Sequence, residues 1–134
     1  MAEKIILIDS DPAFSAAAKE ALAAKGYDCT TCAACAEGLA AVKEAKPALV
    51  IIDMFFAGKA EGILAARKLR RSKDFAGIKT RILMLSDLRT RAHKGFPNPS
   101  KYAYRLTIDE LLFKPAKPDQ LAAKAAELLA VQPR

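Results

Sequence analysis

Five side chains of this sequence could do chemistry together although they lie far apart in it: Asp9, Asp11, Asp53, Ser86 and Lys114. Three are carboxylates, the oxygen donors that hold Mg²⁺, an ion that keeps several waters and takes phosphate oxygens as further ligands. One is an ammonium, which beside Asp53 favours an ionised, nucleophilic carboxylate. One is a hydroxyl, able to donate to an oxyanion formed next to it. Together the set suits transfer of a phosphoryl group onto Asp53, a reaction in which catalysis consists of positioning and charge neutralisation. Singly, each has a plainer role: Asp11 precedes Pro12 as a helix N-cap would, and Lys114 reads as a surface charge.

A second group is the triplet Cys29, Cys32 and Cys35, spaced C-x2-C-x2-C. Thiolates at such spacings serve iron–sulfur and zinc sites. Either site needs a fourth ligand, but no further Cys follows and the single histidine, His93, is distant in the chain. The coordination shell is therefore not closed. An odd number of thiols without a secretory pattern also argues against a disulfide framework. The expectation is three small thiols that pack as apolar groups.

A parallel sheet would bring the five residues together. From Ala48 the chain runs through Leu49, Val50, Ile51 and Ile52 without alternation into Asp53, the pattern of a strand covered on both faces. A charge does not belong inside such a strand. Asp53 is therefore expected at its C-terminal end, where open α/β sheets place their ligand sites. Lys4 to Ile8 repeats the pattern and runs into Asp9, Thr80 to Leu85 runs into Ser86, and Leu111 to Phe113 runs into Lys114. Tyr27 to Cys32 is a further short strand. Helical stripes occupy Pro12 to Lys25, closed by Gly26, then Ala36 to Lys46, Gly62 to Ser72, and the segment opened by Pro118. The order βαβαβαβαβα predicts an α/β, doubly wound, five-stranded parallel sheet with right-handed crossovers between two helical layers. The least regular stretch is 87–109, where Gly95, Pro97 and Pro99 interrupt any long helix while Tyr102, Tyr104, Leu106 and Ile108 alternate as in a strand.

The bulk properties bound the function. A length of 134 residues predicts a single domain, 1–134. No apolar run approaches the roughly 18 residues of a membrane span, and no leader pattern is seen, so a cytoplasmic protein is expected. The net charge of +7 is uneven: residues 1–66 hold 6 Lys and Arg against 9 Asp and Glu, residues 67–134 hold 16 against 6. Such a basic half is either a partner surface or a solvated face. Neither a groove-reading motif nor a base-stacking signature accompanies it, which disfavours nucleic acid. An independent enzyme is disfavoured by the lack of a Gly-rich nucleotide loop or a triad pattern.

The pieces 6–12 (Ile-Leu-Ile-Asp-Ser-Asp-Pro), 49–53 (Leu-Val-Ile-Ile-Asp), 83–86 (Leu-Met-Leu-Ser) and 113–115 (Phe-Lys-Pro) resemble, in order and position, the motifs of CheY-like receiver domains of two-component response regulators. The resemblance spans essentially the whole chain and implies a flavodoxin-like fold. It also implies Asp53 as phosphoacceptor, Lys114 as the phosphate-contacting lysine and Ser86 as the hydroxyl that moves toward the phosphoryl group. It implies Mg²⁺ held through Asp9, Asp11 and Asp53 with Phe55, and a sensor histidine kinase or histidine phosphotransfer protein as donor. Chemistry in such a family is limited to its own aspartyl phosphorylation and dephosphorylation, in a monomer or weak dimer. The family's common partner surface is its fourth helix, fifth strand and fifth helix, which here corresponds to a basic face over 87–117 with Tyr102 and Tyr104 adding aromatic contacts.

Several positions depart from the family pattern. Ser10 replaces the second acid of the usual pair, which weakens Mg²⁺ binding or recruits Asp11. Asp87 follows the switch hydroxyl where a small residue is usual, and Leu111 occupies the aromatic switch position. The proline of the loop after the phosphoacceptor is missing, Gly62 comes about one residue late, and the segment from Ser86 to Lys114 is longer than usual. The expected function is a stand-alone receiver that signals through a changed protein-binding surface. The alternative is a pseudo-receiver that binds partners constitutively without phosphorylation.

Overall fold

The computed structural model describes residues 2–86 and 107–130. Its strands are β1 (Lys4–Ile8), β2 (Asp28–Cys32), β3 (Leu49–Asp53), β4 (Arg81–Ser86) and β5 (Glu110–Phe113), and its helices are α1 (Pro12–Ala24), α2 (Cys35–Ala45), α3 (Glu61–Arg71) and α4 (Pro118–Leu129). A short 3-10 turn, Lys73–Phe75, follows α3. All strand pairs are parallel, in the order β2-β1-β3-β4-β5. The strand order reverses at β1 and β3, and the crevice at that point is the general ligand position of such sheets.

The unbroken apolar runs follow from helices covering both faces of the sheet. Ile6, Ile8, Val50, Ile52, Ile82 and Met84 point to one side, where they pack with Val42 of α2 and Ala65 and Leu69 of α3. Ile5, Leu7, Leu49, Ile51, Leu83 and Leu85 point to the other, against Ala18 and Leu22 of α1 and Leu121 and Ala125 of α4. Successive residues of each strand thus feed two different core layers, and alternation is lost because neither face meets water.

Local sequence sets the ends of these elements. Asp11 caps α1 ahead of Pro12, and Gly26, at φ +90°, closes it as a C′ glycine does. After β3, Phe56 and Lys59 exchange backbone hydrogen bonds of 2.8 and 3.0 Å. Ala57 and Gly58 between them both have positive φ, the geometry of a two-residue type I′ turn. This turn occupies the loop from which the family's usual proline is missing. It returns the chain to Gly62, whose N–H donates to the Met54 carbonyl at 3.0 Å. A Cβ at Gly62 would overlap the carbonyl of Asp53, so the start of α3 lies directly on the end of β3.

The element order agrees with the sequence reading, with boundaries displaced by a residue or two; α3, for instance, begins at Glu61 rather than Gly62. The expected fourth helix, together with Asp87, His93, Tyr102 and Tyr104, lies outside the described residues. Among the described residues no helix is long and apolar enough to cross a membrane.

Candidate phosphoacceptor site

Parallel strands deliver their C-terminal ends to one edge. Asp9 follows β1 directly, Asp53 and Ser86 are the last residues of β3 and β4, and Lys114 follows β5. The register draws them together: Asp53 lies opposite Leu85 and Ser86 opposite Phe113, and the Lys114 N–H donates to the Ser86 carbonyl at 2.7 Å. From that anchor the Lys114 side chain reaches back across the sheet edge. Its ammonium donates to Asp9 Oδ2 at 2.8 Å and to Asp53 Oδ2 at 3.3 Å. The Asp9 side chain is 1% exposed and that of Asp53 14%. Two carboxylates thus share one cation in a partly dry crevice.

The sharing is unequal. Asp9 takes the shorter bond to Lys114 and also accepts the Asp11 N–H at 2.9 Å. Asp53 is left under-compensated, and burial pushes its carboxyl above the ordinary carboxylate range. The Asp9 charge adds to that shift, against the opposing pull of Lys114 and of the Phe55 N–H. The ammonium was expected to favour the ionised form of Asp53, and it does pull that way, but desolvation outweighs it. Burial also works against the charge of Lys114. There its hydrogen bond to Asp9, with the charges of Asp53 and Asp9, prevails and holds the amine above its ordinary value. Both directions express one fact: a single cation serves two acids and leans toward Asp9.

Ser86 is fully buried, and its hydroxyl donates to Met54 Sδ at 3.5 Å. It thus borders the crevice with its oxygen turned toward the residue after Asp53. Leu111, at the position where the family carries an aromatic, is a buried member of the core. Asp11 does not join the carboxylate pair: its Oδ1 accepts the N–H groups of Ala13 at 3.0 Å and Phe14 at 3.2 Å, capping α1. Phe14, which lies within the helical stripe that the sequence placed over Pro12 to Lys25, has a place at the site, with the Lys114 ammonium 5.0 Å from the centre of its ring. Its spacing gave no hint of this, because the contact spans the fold.

Among the described residues no three His, Cys, Asp or Glu side chains gather as a metal-holding group. The donor set that does converge is the pair Asp9 and Asp53. Such a pair fits a hydrated Mg²⁺, which takes one or two carboxylates and fills its other positions with water and phosphate oxygen. The three cysteines are free; Cys29 and Cys32 are buried and Cys35 half-buried. Burial pushes the Cys29 and Cys35 thiols up to about 11, which makes them poor nucleophiles and poor metal ligands. They pack in the core, as the sequence reading expected.

Solved structures of similar fold include the receiver domain of the Francisella response regulator 1452 (21% identity, 96% of this chain and 97% of that chain covered, TM-score 0.77). A CheY-like receiver domain protein from Methanospirillum hungatei JF-1 is comparable (22% identity, 97% and 95% covered, TM-score 0.77). So is the chemotaxis response regulator CheY4 of Vibrio cholerae (20% identity, 96% and 99% covered, TM-score 0.76). No curated protein matches the chain. Residues 5–126 match the family model of the response regulator receiver domain. With that match over most of its length, a CheY-like flavodoxin fold and the acid–lysine crevice where the strands end, the chain belongs to the response regulator receiver domain family.

Proposed function

We propose that the chain is a cytoplasmic receiver that accepts a phosphoryl group on Asp53 from a sensor histidine kinase or histidine phosphotransfer protein. The observation that carries the reading is the Lys114 ammonium shared between Asp9 and Asp53, with Asp53 the less compensated acid. A carboxylate held above its ordinary proton affinity is a better nucleophile while ionised. Asp53 attacks the phosphorus, the phosphorus–nitrogen bond of the phosphohistidine breaks, and the imidazole leaves with the electron pair. Lys114 turns from the Asp53 carboxylate to a phosphoryl oxygen, so the charge entering the crevice meets a cation already there. Asp9 and Asp53 would hold Mg²⁺, which would add neutralisation of the phosphoryl oxygens.

In the same reading the Ser86 hydroxyl leaves Met54 Sδ for the phosphoryl group, and Gly62 and α3, seated on the Asp53 carbonyl, respond to the change. The signal then passes as a shift between two arrangements of the surrounding surface. The test is intact-protein mass after incubation with Mg²⁺ and a small acyl phosphate. A labile adduct of one phosphoryl group on the unmodified protein, absent from Asp53→Ala, is the expected result. Absence of an adduct from both would overturn the proposal in favour of a constitutive binding module.

A further inference from the structure

We infer that Phe14 is a positioning residue for this chemistry: its ring face holds the Lys114 ammonium in the gap between Asp9 and Asp53. This rests on the phosphoacceptor reading above. The ammonium has three donors on a flexible four-carbon stem, so two carboxylates alone leave it free to swing outward to water. Its side chain is 23% exposed, and Phe14 provides an aromatic face 5.0 Å away, within the range where a ring attracts a cation.

The position of Phe14 is itself fixed. Asp11 Oδ1 accepts the Phe14 backbone N–H at 3.2 Å, and Phe14 is half-buried against the core layer that α1 and α4 form with one face of the sheet. The acid that does not enter the carboxylate pair therefore sets the ring over which Lys114 lies. Because the attraction is not directed at a particular oxygen, it persists while the ammonium exchanges a carboxylate partner for a phosphoryl one. A hydrogen-bonding neighbour in that place would compete with the incoming group; a π face does not.

The test separates the contact from the reaction. Unphosphorylated protein is labelled with trace acetic anhydride, and acetylation of Lys114 is measured by peptide mass spectrometry relative to the exposed Lys19 and Lys25. Phe14→Leu and Phe14→Met keep apolar bulk and remove the ring, whereas Phe14→Tyr keeps it. Labelling of Lys114 is expected to rise about two- to fivefold in the Leu and Met variants and to remain at the unmodified level in Tyr, with equal thermal midpoints. The rate of acyl-phosphate-driven adduct formation should fall by a similar factor in the same two variants. Lys114 labelling that is indifferent to Phe14→Leu and Phe14→Met would overturn the inference. Labelling that responds in a protein that takes no phosphoryl group would instead confirm the contact and overturn the phosphoacceptor reading.

Discussion

Among the described residues two clusters of acids and basic side chains sit at opposite ends of the sheet, and they differ in arithmetic. At the C-terminal edge two acids, Asp9 and Asp53, share one cation, Lys114. At the N-terminal edge one acid, Asp109, faces two cations. Its Oδ2 binds Arg70 and accepts the Ile82 N–H at 2.7 Å, and its Oδ1 lies 3.7 Å from Arg81. Arg70 in turn donates to the Thr80 carbonyl, and the Asp109 N–H donates to the Ile82 carbonyl at 2.9 Å. This second cluster ties the end of α3 and the start of β4 to the chain entering β5. Its acid is more than compensated and both carboxylate oxygens are engaged, so it acts as a staple. The first leaves one acid short of charge, and a group held in that way is available for reaction. Excess and deficit of charge, rather than the presence of ions, separate the two.

Removing each acid should therefore have opposite consequences. Asp109→Ala removes the acceptor of the Ile82 N–H and the carboxylate that Arg70 and Arg81 share, and about 2–3 kcal/mol of stability should be lost in chemical denaturation. An unchanged denaturation midpoint would show that the staple is ornamental. Asp53→Asn should do the reverse at neutral pH. The carboxyl of Asp53 is raised in the fold by burial, so the native state binds its proton more tightly than the unfolded chain, and stability falls as pH rises through that window. The Asn variant lacks this loss: it should be more stable than the unmodified protein at pH 7 and lose the advantage below about pH 4. A gain that persists unaltered at pH 3 would point to packing instead of charge.

Two smaller effects sharpen the picture around the crevice. Asp11→Ala removes the cap of α1 and should cost about 1 kcal/mol, with Mg²⁺ affinity by calorimetry unchanged. A large drop in that affinity would return Asp11 to the metal set. Ala57 has φ +52°, a conformation that costs a residue with a Cβ about 1–2 kcal/mol. Ala57→Gly should raise stability by about 0.5 kcal/mol once the entropy of glycine is deducted, without altering the proposed acyl-phosphate-driven adduct formation. Altered adduct formation would tie the type I′ turn to the chemistry.

The sheet was legible because its residues obey a local rule. A strand covered on both faces has no alternation, and each of Lys4–Ile8, Leu49–Asp53 and Arg81–Ser86 reads as such a run ended by a polar residue. The N-cap at Asp11 and the closing Gly26 were legible for the same reason: backbone groups at helix ends need partners within a few residues. Strand ends carrying Asp9, Asp53, Ser86 and Lys114 then imply a shared edge, since parallel strands all finish on the same side. These things the amino-acid order determined by itself.

Other features depended on distances that the order does not encode. The division of Lys114 between Asp9 and Asp53 turns on a difference between 2.8 and 3.3 Å. Whether burial or a neighbouring cation governs Asp53 is a balance of large opposed terms. Asp11 had two plausible uses, and only the packed helix shows its carboxylate spent on Ala13 and Phe14. The Arg70–Asp109–Arg81 staple joins residues up to 39 positions apart, and the ring of Phe14 meets an ammonium one hundred residues later. Local periodicity reports which face of an element is apolar; which charge meets which is decided only when the layers close, because electrostatic energy depends on separation and burial and neither exists before the chain is packed.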